Sequence, residues 1–166
     1  MYSVREEPLG YQQDKLVEVV PLPQPYAIMV DPSGACNFRC CFCPCNNASE
    51  FKKDRHQIMK FSTFQKVVDG LLQFPNKVPV IDLYGLGEPL LNPKFVDMVR
   101  YLKQADCCSM IRTTTNGSLL TPELCNELVN SGLDYIKISV EGMSSEDYQK
   151  LCDVKIDFDA LVEKIR

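Results

Sequence analysis

Three cysteines carry the most legible chemistry in this chain. Cys36, Cys40 and Cys43 stand in the stretch Cys36-Asn37-Phe38-Arg39-Cys40-Cys41-Phe42-Cys43, a C-x3-C-x2-C spacing. Three thiolates held this close in one loop can grip three corners of an iron–sulfur cube. The fourth iron then lacks a cysteine from the motif and is open to an outside ligand. That open corner separates a reactive cluster from a closed electron-transfer one. Two other readings compete. A tetrahedral zinc–thiolate site usually joins two separated short pairs; no second pair matches here, although Cys41 or Cys45 could complete a fourth bond. An idle structural group of thiols is the third reading. Cys41 and Cys45 are read as non-ligands.

The wider cysteine usage supports ligation over cross-linking. The chain has nine cysteines, an odd number, and five of them crowd between positions 36 and 45. A disulfide framework spreads its thiols along a secreted chain instead. Cys107, Cys108, Cys125 and Cys152 lie in or beside apolar segments and read mostly as small buried hydrophobes. In extended chain, Cys107 and Cys108 would point to opposite sides and chelate one ion poorly.

Composition bounds the class. At 166 residues, 45% hydrophobic and 24% charged, the chain suits one soluble domain with a real core. A net charge of −4 argues against nonspecific nucleic-acid binding. The basic residues Lys52, Lys53, Arg55 and Lys60 read as a solvated loop rather than a phosphate site. No apolar run is long enough for a membrane span, and Met1 to Gly10 lacks the layout of a signal peptide. The expectation is a cytoplasmic protein with neither nucleic acid nor membrane as partner.

The elements that must position these thiols follow from periodicity. Residues 1–25 read as an irregular extension, stiffened by Pro21, Pro23 and Pro25. Ala27 to Asp31 reads as a buried strand, with the cysteine loop at its end and a polar surface linker over 46–60. Ser62 caps a helix with its apolar stripe at Phe64, Val67, Val68 and Leu71. Val78 to Tyr84 is a second strand, running into Gly85-Leu86-Gly87-Glu88-Pro89. Phe95, Met98, Val99 and Leu102 mark a second helix, and Ser109 to Thr114 a third strand ending in Thr115-Asn116-Gly117.

Thr121, Pro122 and Glu123 combine a cap, a fixed φ and a negative charge at a helix start, and that helix stops near Ser131-Gly132. Tyr135 to Val140 is a fourth strand. Ser144 starts a short helix, and Phe158, Leu161, Val162 and Ile165 mark a last one. Four strand–loop–helix repeats predict an α/β fold with right-handed crossovers and a parallel sheet, its chemistry at the carboxyl ends of the strands. Arg112 on the third strand would need a partner if it points inward. His56, the only histidine, sits in the polar linker and carries no assigned role. The helical pattern has no stop signal before Arg166, so residues 26–166 read as the amino-terminal part of a longer barrel, with a self-contained small domain as the alternative.

With these residues in view, the chain resembles the radical S-adenosylmethionine (radical SAM) enzymes. The C-x3-C-x2-C loop with Phe42 before its last cysteine, the Gly85-x-Gly87-Glu88-Pro89 segment, the Thr115-Asn116-Gly117 turn, and Ser139 with Glu141 after the fourth strand match that family in order, over roughly 26–166. The resemblance implies about four β/α units of a partial TIM-type barrel. It implies a [4Fe–4S] cluster on Cys36, Cys40 and Cys43, and S-adenosylmethionine near Phe42, Gly85, Gly87, Glu88, Pro89, Asn116, Ser139 and Glu141. Phe42 would pack near adenine, and Glu88 would accept from the methionine ammonium. Reductive cleavage to a 5′-deoxyadenosyl radical, fed by a donor such as flavodoxin or ferredoxin, would abstract hydrogen from a substrate. The flavour is that of the branch acting on peptides, proteins or carbohydrate-type molecules. The alternative is a non-catalytic iron–sulfur or zinc module completed by a partner or a further segment.

Overall fold

A computed structural model describes residues 20–47 and 57–165. Its centre is a four-stranded parallel sheet in the order β1-β2-β3-β4, formed by Ala27–Met29, Val78–Asp82, Cys108–Thr115 and Tyr135–Ile138. Between them run α1 (Pro44–Asn47), α2 (Phe61–Leu71), α3 (Phe95–Ala105) and α4 (Pro122–Ser131). The helices α5 (Ser145–Cys152) and α6 (Phe158–Ile165) follow β4. The predicted alternation and the parallel sheet are those observed.

One face of the sheet is sealed by helices. Phe64, Val68 and Leu71 of α2 and Phe95, Met98, Val99 and Leu102 of α3 pack on Ile81, Leu83 and Ile111 from the sheet. Each such side chain taken from water stabilises the fold by ~1.5–3 kcal/mol. The other face follows from period-two alternation and is more open. It carries Met29 at 59% exposure, half-buried Arg112 and Tyr135, and exposed Lys137. Arg112 does find its partner there: Nε and Nη2 donate to Asp82 Oδ1 and Oδ2 at 2.8 and 2.9 Å, across the register pair of β2 and β3.

Three local expectations need correction. β1 is not a buried strand: Ala27 and Met29 are exposed, because β1 is an edge and shows one side to the open face. Ser62 does not cap α2; the cap falls two residues earlier, at Lys60, with no side-chain bond there. Phe61 draws that first turn inward by stacking on Phe64 and meeting Tyr101 edge-on. Cys107 and Cys108 do not diverge. The strand begins only at Cys108, and the two thiols hydrogen-bond to each other in the core.

The caps of the later helices are as read. Thr121 Oγ1 accepts from Leu124 N at 3.2 Å, and Gly132 ends α4 with φ +88°. Ser144 Oγ accepts from Asp147 N at 3.1 Å. A second, smaller apolar cluster joins Phe38 of the cysteine loop to Tyr148, Cys152 and Leu161 of α5 and α6. Residues 1–19 and 48–56 lie outside the described residues, and with them most of the extension, His56, Lys52, Lys53 and Arg55.

Candidate functional site

The chemistry-bearing residues gather at the carboxyl edge of the sheet. β1 delivers Asp31, whose carboxylate accepts from Ser33 N and from Leu86 N at 2.9 Å, so the first loop is pinned to the second. Glu88 N donates to Ala35 O at 2.7 Å. This close approach explains the glycines. A Cβ at Gly87 would collide with the Ser33 and Ala35 carbonyl oxygens, and one at Gly85 would meet the Asp31 side chain at 2.5 Å. The backbone those glycines admit is that of the neighbouring loop. Asn92, missed in the sequence, completes the clamp: its Nδ2 donates to Pro32 O and Met59 O at 2.8 and 3.0 Å.

In the cysteine loop, Cys36 Sγ accepts from Phe38 N at 3.4 Å and Cys43 N donates to Cys40 O at 3.0 Å. Cys36, Cys40 and Cys43 form no disulfide and are of intermediate exposure. Cys45 is buried and donates to Leu86 O at 3.2 Å, which makes it a structural thiol, while Cys41 is exposed. Asn46 Nδ2 donates to Cys40 O at 2.8 Å, and its buried Oδ1 has no partner among the described residues. The loop rests on the end of α5, where Arg39 N and Cys41 N donate to Cys152 O and Leu151 O, both at 2.8 Å. Carbonyls that the last turn of a helix leaves without intrahelical partners are satisfied by the cysteine loop. Cys152 is therefore more than a core filler: its thiol hydrogen-bonds that of Cys40. Burial pushes the Cys40 thiol well above its ordinary range, helped by that bond and by the charge of Glu141.

Glu88 is a buried hub, only 2% exposed. Oε1 accepts from Thr115 Oγ1 at 2.6 Å and Leu90 N at 3.1 Å, and Oε2 accepts from Asn116 N at 2.8 Å. Burial raises its pKa against the pull of those donors. The carboxylate thus ties the second loop to the third. Asn116 extends the tie to the cysteine loop through a closed ring. Its Nδ2 donates to Asn37 Oδ1 at 2.9 Å, Asn37 Nδ2 donates to Ser118 Oγ at 2.8 Å, and Ser118 Oγ donates to Asn116 Oδ1 at 2.7 Å. Asn116 also forms the Asx turn expected of its position, and Gly117 takes φ +74°.

The remaining candidates sit on the same edge with looser ties. Pro89 is buried at the start of a 3-10 turn. Ser139 N donates to Thr115 O at 2.9 Å, and Glu141 N to the Tyr148 hydroxyl at 3.2 Å; both side chains are half-buried. Phe42 is 56% exposed, so it is no core aromatic. Among the described residues, no three His, Cys, Asp or Glu side chains converge as ligands of one metal ion do. A cube attaches each thiolate to a different iron, so its three sulfur donors have no common centre to share. Three thiols in one loop, none in a disulfide and with an N–H already directed at the first sulfur, fit a group that takes three protein sulfurs.

Known proteins bear on this edge. Residues 30–166 match the family described as the Radical SAM superfamily. The chain is 32% identical over 114 residues to the tungsten-containing aldehyde ferredoxin oxidoreductase cofactor-modifying protein of Pyrococcus furiosus, covering 69% of this chain and 30% of that protein. It is 33% identical over 132 residues to a probable GTP 3′,8-cyclase of Saccharolobus solfataricus, covering 80% of this chain and 40% of that one. It therefore spans well under half the length of these curated relatives. Among solved structures, BtrN in complex with AdoMet and 2-DOIA aligns with a TM-score of 0.59 at 24% identity, over 82% of this chain and 58% of BtrN. Streptococcus suis SuiB bound to the precursor peptide SuiA aligns with 0.58 at 18%, over 79% and 28%. The fold is thus part of a radical SAM barrel, and the chain belongs to the radical SAM superfamily, which implies a [4Fe–4S] cluster and S-adenosylmethionine as its cofactors.

Proposed function

We propose that this chain provides the cluster-binding and S-adenosylmethionine-binding part of a radical SAM enzyme. The observation that carries the reading is the convergence of the Cys36–Cys43 loop, the Glu88 hub and the Asn116 turn on one sheet edge, within one hydrogen-bonded assembly. Cys36, Cys40 and Cys43 would hold a [4Fe–4S] cluster. When bound, such a cluster supplies the electron for reductive cleavage of S-adenosylmethionine, giving a 5′-deoxyadenosyl radical that takes hydrogen from a substrate.

The protein's own part is to fix and shield that site. Cys36, Cys40 and Cys43 would be the protein's three ligands to such a cluster, and S-adenosylmethionine would bind beside them. Exposed Phe42 offers a ring face to adenine. Glu88 already holds three donors, so it serves the methionine group chiefly by fixing the loop of Gly85 to Pro89. Ser139 and Glu141, half-buried beside the turn, are the polar groups available to ribose or methionine. A low-potential donor of the flavodoxin or ferredoxin kind would supply the electron. The relatives are named for different reactions, a tungsten-cofactor modification and a GTP cyclisation. Peptide, protein or carbohydrate-type molecules are the substrate classes carried by the resemblance.

The test is anaerobic reconstitution with iron and sulfide, followed by dithionite and S-adenosylmethionine. Release of 5′-deoxyadenosine supports the reading. A cluster-loaded, reduced full-length protein that releases none overturns it.

A further inference from the structure

We propose that Cys40 and Cys152 form a reversible disulfide when the cysteine loop carries no cluster. Two independent features bring the pair together. Hydrogen bonds of 2.8 Å flank Cys40 on both sides, from Arg39 N to Cys152 O and from Cys41 N to Leu151 O, so the two backbones run side by side. These bonds hold Cys40 against the last turn of α5, on which Cys152 is the final residue. Cys40 also packs against the apolar cluster that contains Cys152, and the two thiols are in hydrogen-bond contact. Cys41, the next thiol along, is exposed, and Cys45 is engaged with Leu86 O.

The oxidant is a low-molecular-weight disulfide such as glutathione disulfide. Cys40, the more exposed of the two, attacks it, loses its proton to solvent and becomes a mixed disulfide, releasing one small thiolate that takes up a proton. The Cys152 sulfur then attacks the Cys40 sulfur, displacing the second small thiolate, which is protonated in turn. Two protein thiols have lost two electrons, and one small disulfide has become two thiols. The bond itself stands on the geometry alone. Its consequence, that an oxidised loop refuses iron, rests on Cys40 being one of the cluster's ligands.

The experiment treats cluster-free protein with glutathione disulfide under anaerobic conditions, blocks remaining thiols, and maps bridges by tandem mass spectrometry. A dominant Cys40–Cys152 bridge is expected. Iron uptake during reconstitution without added thiol should fall at least about fivefold and return after dithiothreitol. Bridges among Cys36, Cys41 and Cys43, or a Cys40 left carrying glutathione, would overturn the proposal. A Cys40–Cys152 bridge with undiminished iron uptake would leave the disulfide standing and remove Cys40 from the ligand set. In Cys152→Ser no second thiol can complete the exchange, so oxidation should leave Cys40 as the glutathione mixed disulfide, read by its added mass and reversed by dithiothreitol. Mapping in the unaltered protein keeps the question decidable if that buried substitution impairs folding.

Discussion

The molecule gathers cysteines at both ends of its sheet, and the two groups behave differently. At the carboxyl edge, Cys36, Cys40 and Cys43 are partly exposed, beside asparagine, serine and glutamate side chains. At the other end, Cys107 and Cys108 are 4% and 8% exposed, sit in the main core and bond to each other. Burial pushes both of those thiols up, Cys108 to about 12, but it pushes Cys40 up as well, so exposure and polar neighbours, not ionisation, set the two ends apart. Cysteine number does not make a site. Access and polar neighbours do.

The largest effect that separates the two ends is on iron. Cys36→Ala, Cys40→Ala or Cys43→Ala should each abolish most of the roughly four irons bound per reconstituted chain, measured by iron analysis and visible absorbance. Cys107→Ala and Cys108→Ala should leave the iron content unchanged. An equal loss at both ends would break the contrast.

Glu88→Gln comes next and asks whether the carboxyl edge depends on its polar hub. The amide nitrogen must face either Asn116 N or Leu90 N, donor against donor, at a cost of about 1–3 kcal/mol in denaturant unfolding. At the opposite end, Cys107→Ala and Cys108→Ala should cost about 1–2 kcal/mol each through lost packing, without any change at the site.

Acid gives a smaller effect. The Glu88 pKa is raised in the folded protein, so its favourable contribution is complete below the ordinary carboxylate range and is lost as pH rises through the raised value. Relative to Glu88→Gln, the unaltered protein should gain stability as pH falls through that window, and a flat difference would contradict the burial argument. Smallest of all, Phe42→Ala should change stability by less than about 0.5 kcal/mol, since the ring is exposed, yet weaken S-adenosylmethionine binding measured by calorimetry.

Much of this was readable in the residues because it is local. The stripes of α2 and α3, the Thr121 cap and the Gly132 stop depend on neighbours within a turn or two, and the structure has all of them. What the sequence hid is non-local. Asp82 as the partner of Arg112 appears only once β2 and β3 are in register. The crowding at Gly87 comes from a loop some fifty residues earlier. Asn37 lies between two cysteines of the motif, and only the folded edge shows it bonded to Asn116 and Ser118. Cys152 carried no motif at all, and its position beside Cys40 is set by the far end of α5.

The seating of Arg39 and Cys41 on the α5 carbonyls has a temporal consequence. The ribosome releases the cysteine loop more than a hundred residues before the helix end that receives it. A nascent chain therefore exposes its sulfur donors before their cradle exists. Under the proposed function, the loop would present its folded shape to a cluster only after the fourth unit has been made.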